Sequence, residues 1–206
     1  VALRETKPEK ELTGEKATRI VAAMRTCVAE HGAVGATFDH VSKEAGVSRG
    51  LLHYYFGSKE RLLIETIRSE TDRLVEVIQT ATNVATSAEQ LVDLLLVQLK
   101  NILANEPELY LLAFETIGEA RRHPEIGSEV AEYNRRTRGQ FAEIIDQLTT
   151  KGVITPRHPP LATASALLAM ANGLAVEMFQ DPEGDHDACV AADVDAALHL
   201  LGAEQT

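Results

Sequence analysis

Within residues 46–59 a turn glycine (Gly46), a helix-capping serine (Ser48), a short run dense in aromatics (Tyr54, Tyr55, Phe56) and a second cap (Ser58) followed by Lys59 come in immediate succession. Glycine admits the backbone angles of a sharp turn. A serine oxygen satisfies the free N–H groups at a helix start. The order predicts a short helix set at an angle to the one before it and followed at once by another. Four of the chain's nine Phe and Tyr residues fall between Phe38 and Phe56, so aromatic mass is gathered around this one short helix.

The rest of the chain also reads as helix. No stretch sustains the period-2 alternation of a strand. Ala17, Ile20, Val21, Met24, Cys27 and Val28 recur at helical spacing in a first helix predicted over 13–31, capped by Thr13 and stopped by Gly32. Thr37 caps a second helix ending before Gly46, Ser48 a third ending near Gly57, and Ser58 a fourth running to about residue 82. Ser87 and Gln90 have the spacing of a capping box opening a fifth helix that ends near Asn105. Pro107 and Pro124 open the sixth and seventh, and the eighth and ninth are expected over 161–179 and 187–201.

The net charge of −11 argues against a general nucleic-acid binder, but it is unevenly placed. Residues 1–68 hold 11 Lys and Arg against 9 Asp and Glu, whereas residues 69–206 hold 9 against 22. A weakly basic head on an acidic body suits local contact with phosphates and little non-specific binding elsewhere. The longest apolar runs, such as 94–97 and 166–171, fall far short of the roughly 18–20 residues of a membrane span. No membrane partner is therefore expected. Cys27 and Cys189 lie far apart and need not pair, and a reducing cytoplasm is the expected location.

Residues 37–56 have the spacing of a helix-turn-helix. Val41 and Ala45 face inward from the first helix, Val47 plugs the angle, and Leu52 and Phe56 hold the second helix down. Arg49, Gly50, Leu51, His53, Tyr54 and Tyr55 are left facing outward. Arg49 suits guanine O6 and N7 in the major groove. Gly50 permits close backbone approach, Leu51 suits a thymine methyl, and Tyr54 suits packing on bases. His53 and Tyr55 suit phosphates. Lys59 stands at a helix N-terminus, where free N–H groups and the helix dipole already favour an anion.

Thr37 to Val41, Ala45 to Ser48, Gly50 to Leu52, Tyr54 to Phe56 and Ser58 to Glu60, with Leu62 and Leu63 following, resemble the TetR family of transcriptional regulators. The resemblance is dense over about residues 20–65. It implies an all-α homodimer with an N-terminal three-helix helix-turn-helix head, residues 1–58, and a helical ligand-binding and dimerisation body, residues 59–206. It further implies DNA contacts at Thr37, Ser48, Arg49, Gly50, Leu51, His53, Tyr54, Tyr55 and Lys59. Leu51 and His53 depart from the residues usual at those family positions. Arg4, Lys7 and Lys10, in the leading arm, are a mobile tail or follow a minor groove.

In the body, the eighth helix carries Ala162, Ala164, Ala166, Ala169, Ala171, Gly173 and Ala175, and the ninth Ala188, Ala191, Ala192, Ala196 and Ala197. Small residues let helices approach closely, so these two are the expected twofold contact of a homodimer. A pocket is expected among the fourth to eighth helices, with Tyr133, Asn134, Thr137 and Phe141 on the seventh and Tyr110, Phe114, Met170 and Met178 as walls. It would hold an apolar or amphipathic small-molecule effector. No cofactor or metal is expected. Asp185, His186 and Asp187 fit a turn and helix cap better than a cation site.

These features predict a ligand-responsive repressor released from a palindromic DNA operator by a small molecule. A small-molecule-binding helical protein without DNA activity remains open, as does a helical homodimeric enzyme. The chain's Glu-x-x-His, Glu183 to His186, falls in a predicted turn and not on the paired helices of a metal-holding bundle, its Gly-x-Ser-x-Gly, Gly46 to Gly50, follows a predicted helix and not the strand of a nucleophile elbow, and there is no Gly-rich phosphate loop.

Overall fold

The computed structural model describes residues 15–203. The leading arm with Arg4, Lys7 and Lys10, and the Thr13 cap, lie outside them. Among the described residues all regular structure is helical: α1 (Glu15–Gly35), α2 (Phe38–Ala45), α3 (Arg49–Phe56), α4 (Lys59–Thr82), α5 (Ala88–Asn105), α6 (Glu108–Arg122), α7 (Pro124–Thr150), α8 (Pro160–Gln180) and α9 (Asp187–Leu201).

The caps explain most boundaries. Thr37 Oγ1 accepts from the His40 N–H at 3.3 Å, and Ser48 Oγ from the Leu51 N–H at 3.2 Å. Gly46 closes α2 in the left-handed region, at φ 63° and ψ 37°. Gly32 does not end α1 outright. It kinks the helix at φ 65° and ψ 168°, and one more turn follows. The capping box at α5 is half formed. Ser87 Oγ accepts from the Gln90 N–H at 3.3 Å, but Gln90 Oε1 takes the Thr86 N–H at 2.8 Å, one residue earlier than the motif expects.

Two main cores result. The head core joins Ile20, Met24, Cys27 and Val28 of α1 to Phe38, Val41 and Ala45 of α2, Leu52 of α3, and Leu62, Leu63 and Ile67 of α4. Leu112 of α6 completes it from the body. The body core joins Val75 and Ile78 of α4 to Leu91 and Val92 of α5, Ile144, Ile145 and Leu148 of α7, Ala164 of α8, and Ala197 and Leu201 of α9. Burying one such side chain contributes about 1.5–3 kcal/mol. Helix α4 is therefore shared, its first half in one core and its second half in the other. Cys27 is buried, Cys189 exposed, and both are free.

Helix α8 corrects the expectation about apolar length. Thr163, Ser165 and Asn172 interrupt its apolar runs, yet only Glu177 is charged, and by length and composition its 21 residues suffice to cross a membrane. It packs against α7, but only 22% of its most apolar window is buried. Ala162, Ala169 and Gly173 of α8 stay exposed, as do Ala188, Ala191, Ala192 and Ala196 of α9.

The end of α9 is tied to the connector before α8. The Thr155 N–H donates to Leu201 O at 3.0 Å, the Arg157 N–H to Leu200 O at 3.2 Å, and Arg157 Nε to His199 O at 3.1 Å. Gly202 then turns away in the left-handed region, and a Cβ there would lie 1.9 Å from Thr155 O.

Candidate DNA interface and effector cavity

The helix-turn-helix is built as a buried side and an open side. Leu52 is fully buried and seats α3 on the head core, with Val47 and Phe56 packed at its ends. On the open side Arg49, Gly50, His53 and Tyr54 face outward, Tyr54 at 57% exposure. Tyr55 is half-buried and meets Tyr54 edge-on at 5.1 Å between ring centroids. Leu51 is a correction: it is half-buried and packs on the head core, because a leucine at that register lies close enough to the core to shed water.

Arg49 has partners within the head. Its Nη1 lies between the two carboxylate oxygens of Asp39 on α2, at 3.1 and 3.2 Å. Its Nε donates to His53 Nε2 at 3.3 Å. His53 Nδ1 faces Gly57 O at 3.4 Å. A carbonyl only accepts and an arginine N–H only donates, so the proton sits on Nδ1. The imidazole also meets Phe38 edge-on at 4.7 Å. Asp39 was missed in the sequence because a carboxylate on a DNA-facing helix reads as a solvated charge.

The remaining predicted contacts have definite local roles. Thr37 and Ser48 use an oxygen lone pair as helix caps, which leaves each hydroxyl proton free to donate outward. A Cβ on Gly50 would meet only Ser48 Oγ, at 4.0 Å, so nothing inside the protein demands glycine there. Lys59 is not a free cation. Its Nζ donates to Ala33 O at 2.8 Å and Val34 O at 3.3 Å, holding the last turn of α1 against the start of α4. Ser58 Oγ accepts from the Arg61 N–H at 3.3 Å beside it.

The body holds an apolar cavity of about 100 Å³ between α5, α8 and α9; it shares α5 and α8 with the pocket expected among α4 to α8, but adds α9 and is not lined by α7. Val92, Leu95, Leu96 and Leu99 form one wall, Leu167, Met170 and Leu174 another, and Val190, Asp193 and Val194 the third. Of the eight residues read as ligand contacts, Met170 alone lines it. Tyr110 and Met178 pack just beyond, against Leu99, Leu174 and Ala175. Burial pushes the Tyr110 phenol up to about 12.

The other five lie elsewhere. Phe114 is 38% exposed and Asn134 is exposed, because those faces of α6 and α7 meet solvent. Phe141 packs on the body core. Tyr133 packs on the head core, and its hydroxyl bonds Thr71 Oγ1 of α4. Burial pushes the Tyr133 phenol up, against the hydrogen bonds of Thr71 and Thr137 that pull it down. The polar stripe of α7 is thus a seam to α4. Gln140 extends it toward Asp72 at 3.4 Å. The cavity escaped the sequence reading because α5 offers it only aliphatic residues, indistinguishable from core.

Near α9, the His186 imidazole donates to Asp181 O at 2.7 Å and Asp185 Oδ1 accepts from the Asp187 N–H at 3.2 Å. These are turn contacts.

A helical body under a helix-turn-helix head defines a class of DNA-binding regulator, and the comparisons agree. Residues 20–66 match the bacterial regulatory proteins of the tetR family, and residues 87–202 match the C-terminal part of BetI-type transcriptional repressors. The chain belongs to the TetR family, with a BetI-type body. The family and its relatives are regulators of transcription, not enzymes.

Among curated relatives, the HTH-type transcriptional regulator BetI of Rhizobium meliloti is 32% identical over 155 residues, 74% of this chain and 72% of that one. BetI of Agrobacterium fabrum is 54% identical over 48 residues, a match spanning only 23% of that protein's length. Among solved structures, the fatty acid degradation regulator FadR of Bacillus halodurans superposes with a TM-score of 0.73 at 22% identity, covering 95% of this chain and 100% of that one. FadR of Bacillus subtilis, solved with stearoyl-CoA, gives 0.70 at 17% identity over 91% and 99%. At those identities the likeness is one of fold.

Proposed function

We propose that the protein is a cytoplasmic repressor that binds a pseudo-palindromic operator as a homodimer and is released by an apolar or amphipathic small molecule. The observation that carries this reading is the open side of α3, where Arg49, Gly50 and Tyr54 stand clear of the core that Leu52 anchors. Arg49, already oriented by Asp39, reads a guanine edge in the major groove. Gly50 brings the backbone close, and Tyr54 packs on bases. Thr37, Ser48 and Tyr55 donate to phosphates, whereas His53, with its proton on Gly57 O and its Nε2 accepting from Arg49, backs Arg49 and does not donate to a phosphate. Lys59 keeps the start of α4 in register, where its free N–H groups and third ammonium proton face a phosphate. Leu51 supports α3 from beneath more than it reads bases.

In this reading residues 1–58 are the DNA-binding head and 59–206 the body, with α4 as the shaft between them. The exposed small-residue faces of α8 and α9 pair with their copies, which places two recognition helices about one DNA turn apart. The aliphatic lining of the cavity suits an apolar chain, and the stearoyl-CoA bound by the Bacillus subtilis relative is a ligand of that chemical character. At about 100 Å³ the cavity must widen to admit a drug-sized molecule, which normally needs about 300 Å³ or more. That widening moves α5 against α8 and α9 and favours the released arrangement only by the ligand's differential affinity for it.

Selection of bound DNA from a random pool tests the proposal. The expected product is an inverted repeat whose complex dissociates with fatty acyl compounds. Enrichment of no sequence by the full-length dimer would refute it.

A further inference from the structure

Head and body meet at a compact ion cluster that neither the proposed DNA contacts nor the cavity accounts for. Arg25 of α1 reaches Glu70 Oε1 of α4 with Nη1 at 3.2 Å and Glu106 Oε2 with Nη2 at 2.8 Å. Arg73, one turn beyond Glu70, reaches Glu70 Oε2 with Nε at 3.1 Å and Glu106 Oε2 with Nη2 at 2.6 Å. The Arg25, Glu70 and Glu106 side chains are 19%, 12% and 23% exposed. Among the described contacts two guanidinium groups face two carboxylates, and each carboxylate is shared by both arginines.

Its placement matters more than its strength. Glu106 ends α5, its N–H closing on Ile102 O at 2.7 Å. The same helix walls the cavity with Val92, Leu95, Leu96 and Leu99. Glu106 thus joins the cavity wall to α1, the first helix of the head. The apolar contact through Leu112 also holds the head on the body. Apolar burial, however, is non-directional and tolerates rotation, whereas charge-assisted bonds from a planar guanidinium fix an angle.

We propose that Arg25 is a positioning residue for operator reading. Through Glu70 and Glu106 it sets the angle of the head on the body, and so the separation of the two recognition helices in the dimer. A shift of α5 on effector binding reaches the head through Glu106. This inference rests on the dimeric operator binding proposed above.

The test is half-site spacing, which a merely structural role leaves untouched. Full-length wild type, Arg25→Met and Glu106→Gln are each used to select DNA from a random pool. Half-site sequence and centre-to-centre distance are read separately. Wild type is expected to enrich one spacing. Both variants are expected to keep the half-site sequence, accept spacings differing by a base pair or more, and bind the wild-type spacing about tenfold more weakly. Variants that keep the single spacing with wild-type affinity overturn the proposal. So does joint loss of half-site sequence and head folding in both, because the cluster would then act only on stability. Should Arg25→Met alone fail to fold, the near-isosteric Glu106→Gln decides. Failure of the wild type to select any paired half-sites instead counts against the repressor reading.

Discussion

The head and the body solve opposite problems with the same kind of helix. In the head, α2 and α3 have eight residues each, too few to be stable alone. They persist because side-chain caps and a left-handed glycine fix each end and one core holds both. In the body, α4, α7 and α8 run for 24, 27 and 21 residues, and their ends matter less than their faces. One face is buried and the other meets solvent. Short capped helices make a rigid head, and in the proposed repressor the long two-faced helices supply the surface that associates and shifts.

The comparison can be broken at its two extremes. Placing arginine on the open small-residue faces, as Ala169→Arg with Ala192→Arg, should yield monomers in sedimentation. Operator affinity should then fall by about 10²–10⁴, the avidity of two linked heads. A variant that stays dimeric would remove α8 and α9 from the interface. Leu52→Ala opens a cavity in the head core and should cost about 2–5 kcal/mol in denaturant titration. The loss should appear in the amide exchange of α2 and α3 well before that of α7 and α8.

Smaller changes sharpen the contrast. Arg49→Ala should remove about 1–3 kcal/mol of discrimination at one base pair, measured by competition with operator variants. The fold should hardly respond, since the exposed Arg49–Asp39 pair contributes only about 0–1 kcal/mol. Gly50→Ala should raise the melting free energy by about 0.5–1 kcal/mol, because alanine suits a helix better and meets no neighbour. The same change should weaken operator binding, and unchanged binding would remove Gly50 from the interface. Last, Tyr110 has a phenol raised from 10.0 to about 12 by burial. A raised folded-state value means stability fully present below pH 10 and lost as pH climbs toward 12. Tyr110→Phe should flatten that part of the alkaline stability curve.

The head was legible because its information is local. Thr37, Gly46, Ser48, Gly57 and Ser58 each do in the structure what their chemistry does in isolation. The long helices were legible as elements, since prolines and caps bound them. Contacts across the molecule were not. Tyr133 and Thr137 were expected as polar groups in a pocket, yet Tyr133 bonds Thr71, 62 residues away in sequence, and Thr137 bonds Tyr133. Lys59 reads from the sequence as a phosphate anchor, and its hold on the carbonyls of a turn that Gly32 kinked but did not end has no local signal. Asp39 and the Arg25 cluster depend on which charges the fold brings together, and spacing along the chain carries no trace of that.

The tie between the end of α9 and the connector before α8 bears on assembly. Two helices docked on a partner normally lose freedom relative to each other as well as to the partner. Here Thr155 and Arg157 hold the last turn of α9, with Gly202 fitted against Thr155 O, so in the proposed dimer that internal freedom is gone before the copies meet. Association then carries a smaller ordering penalty, and the pair of helices behaves as one preformed plate.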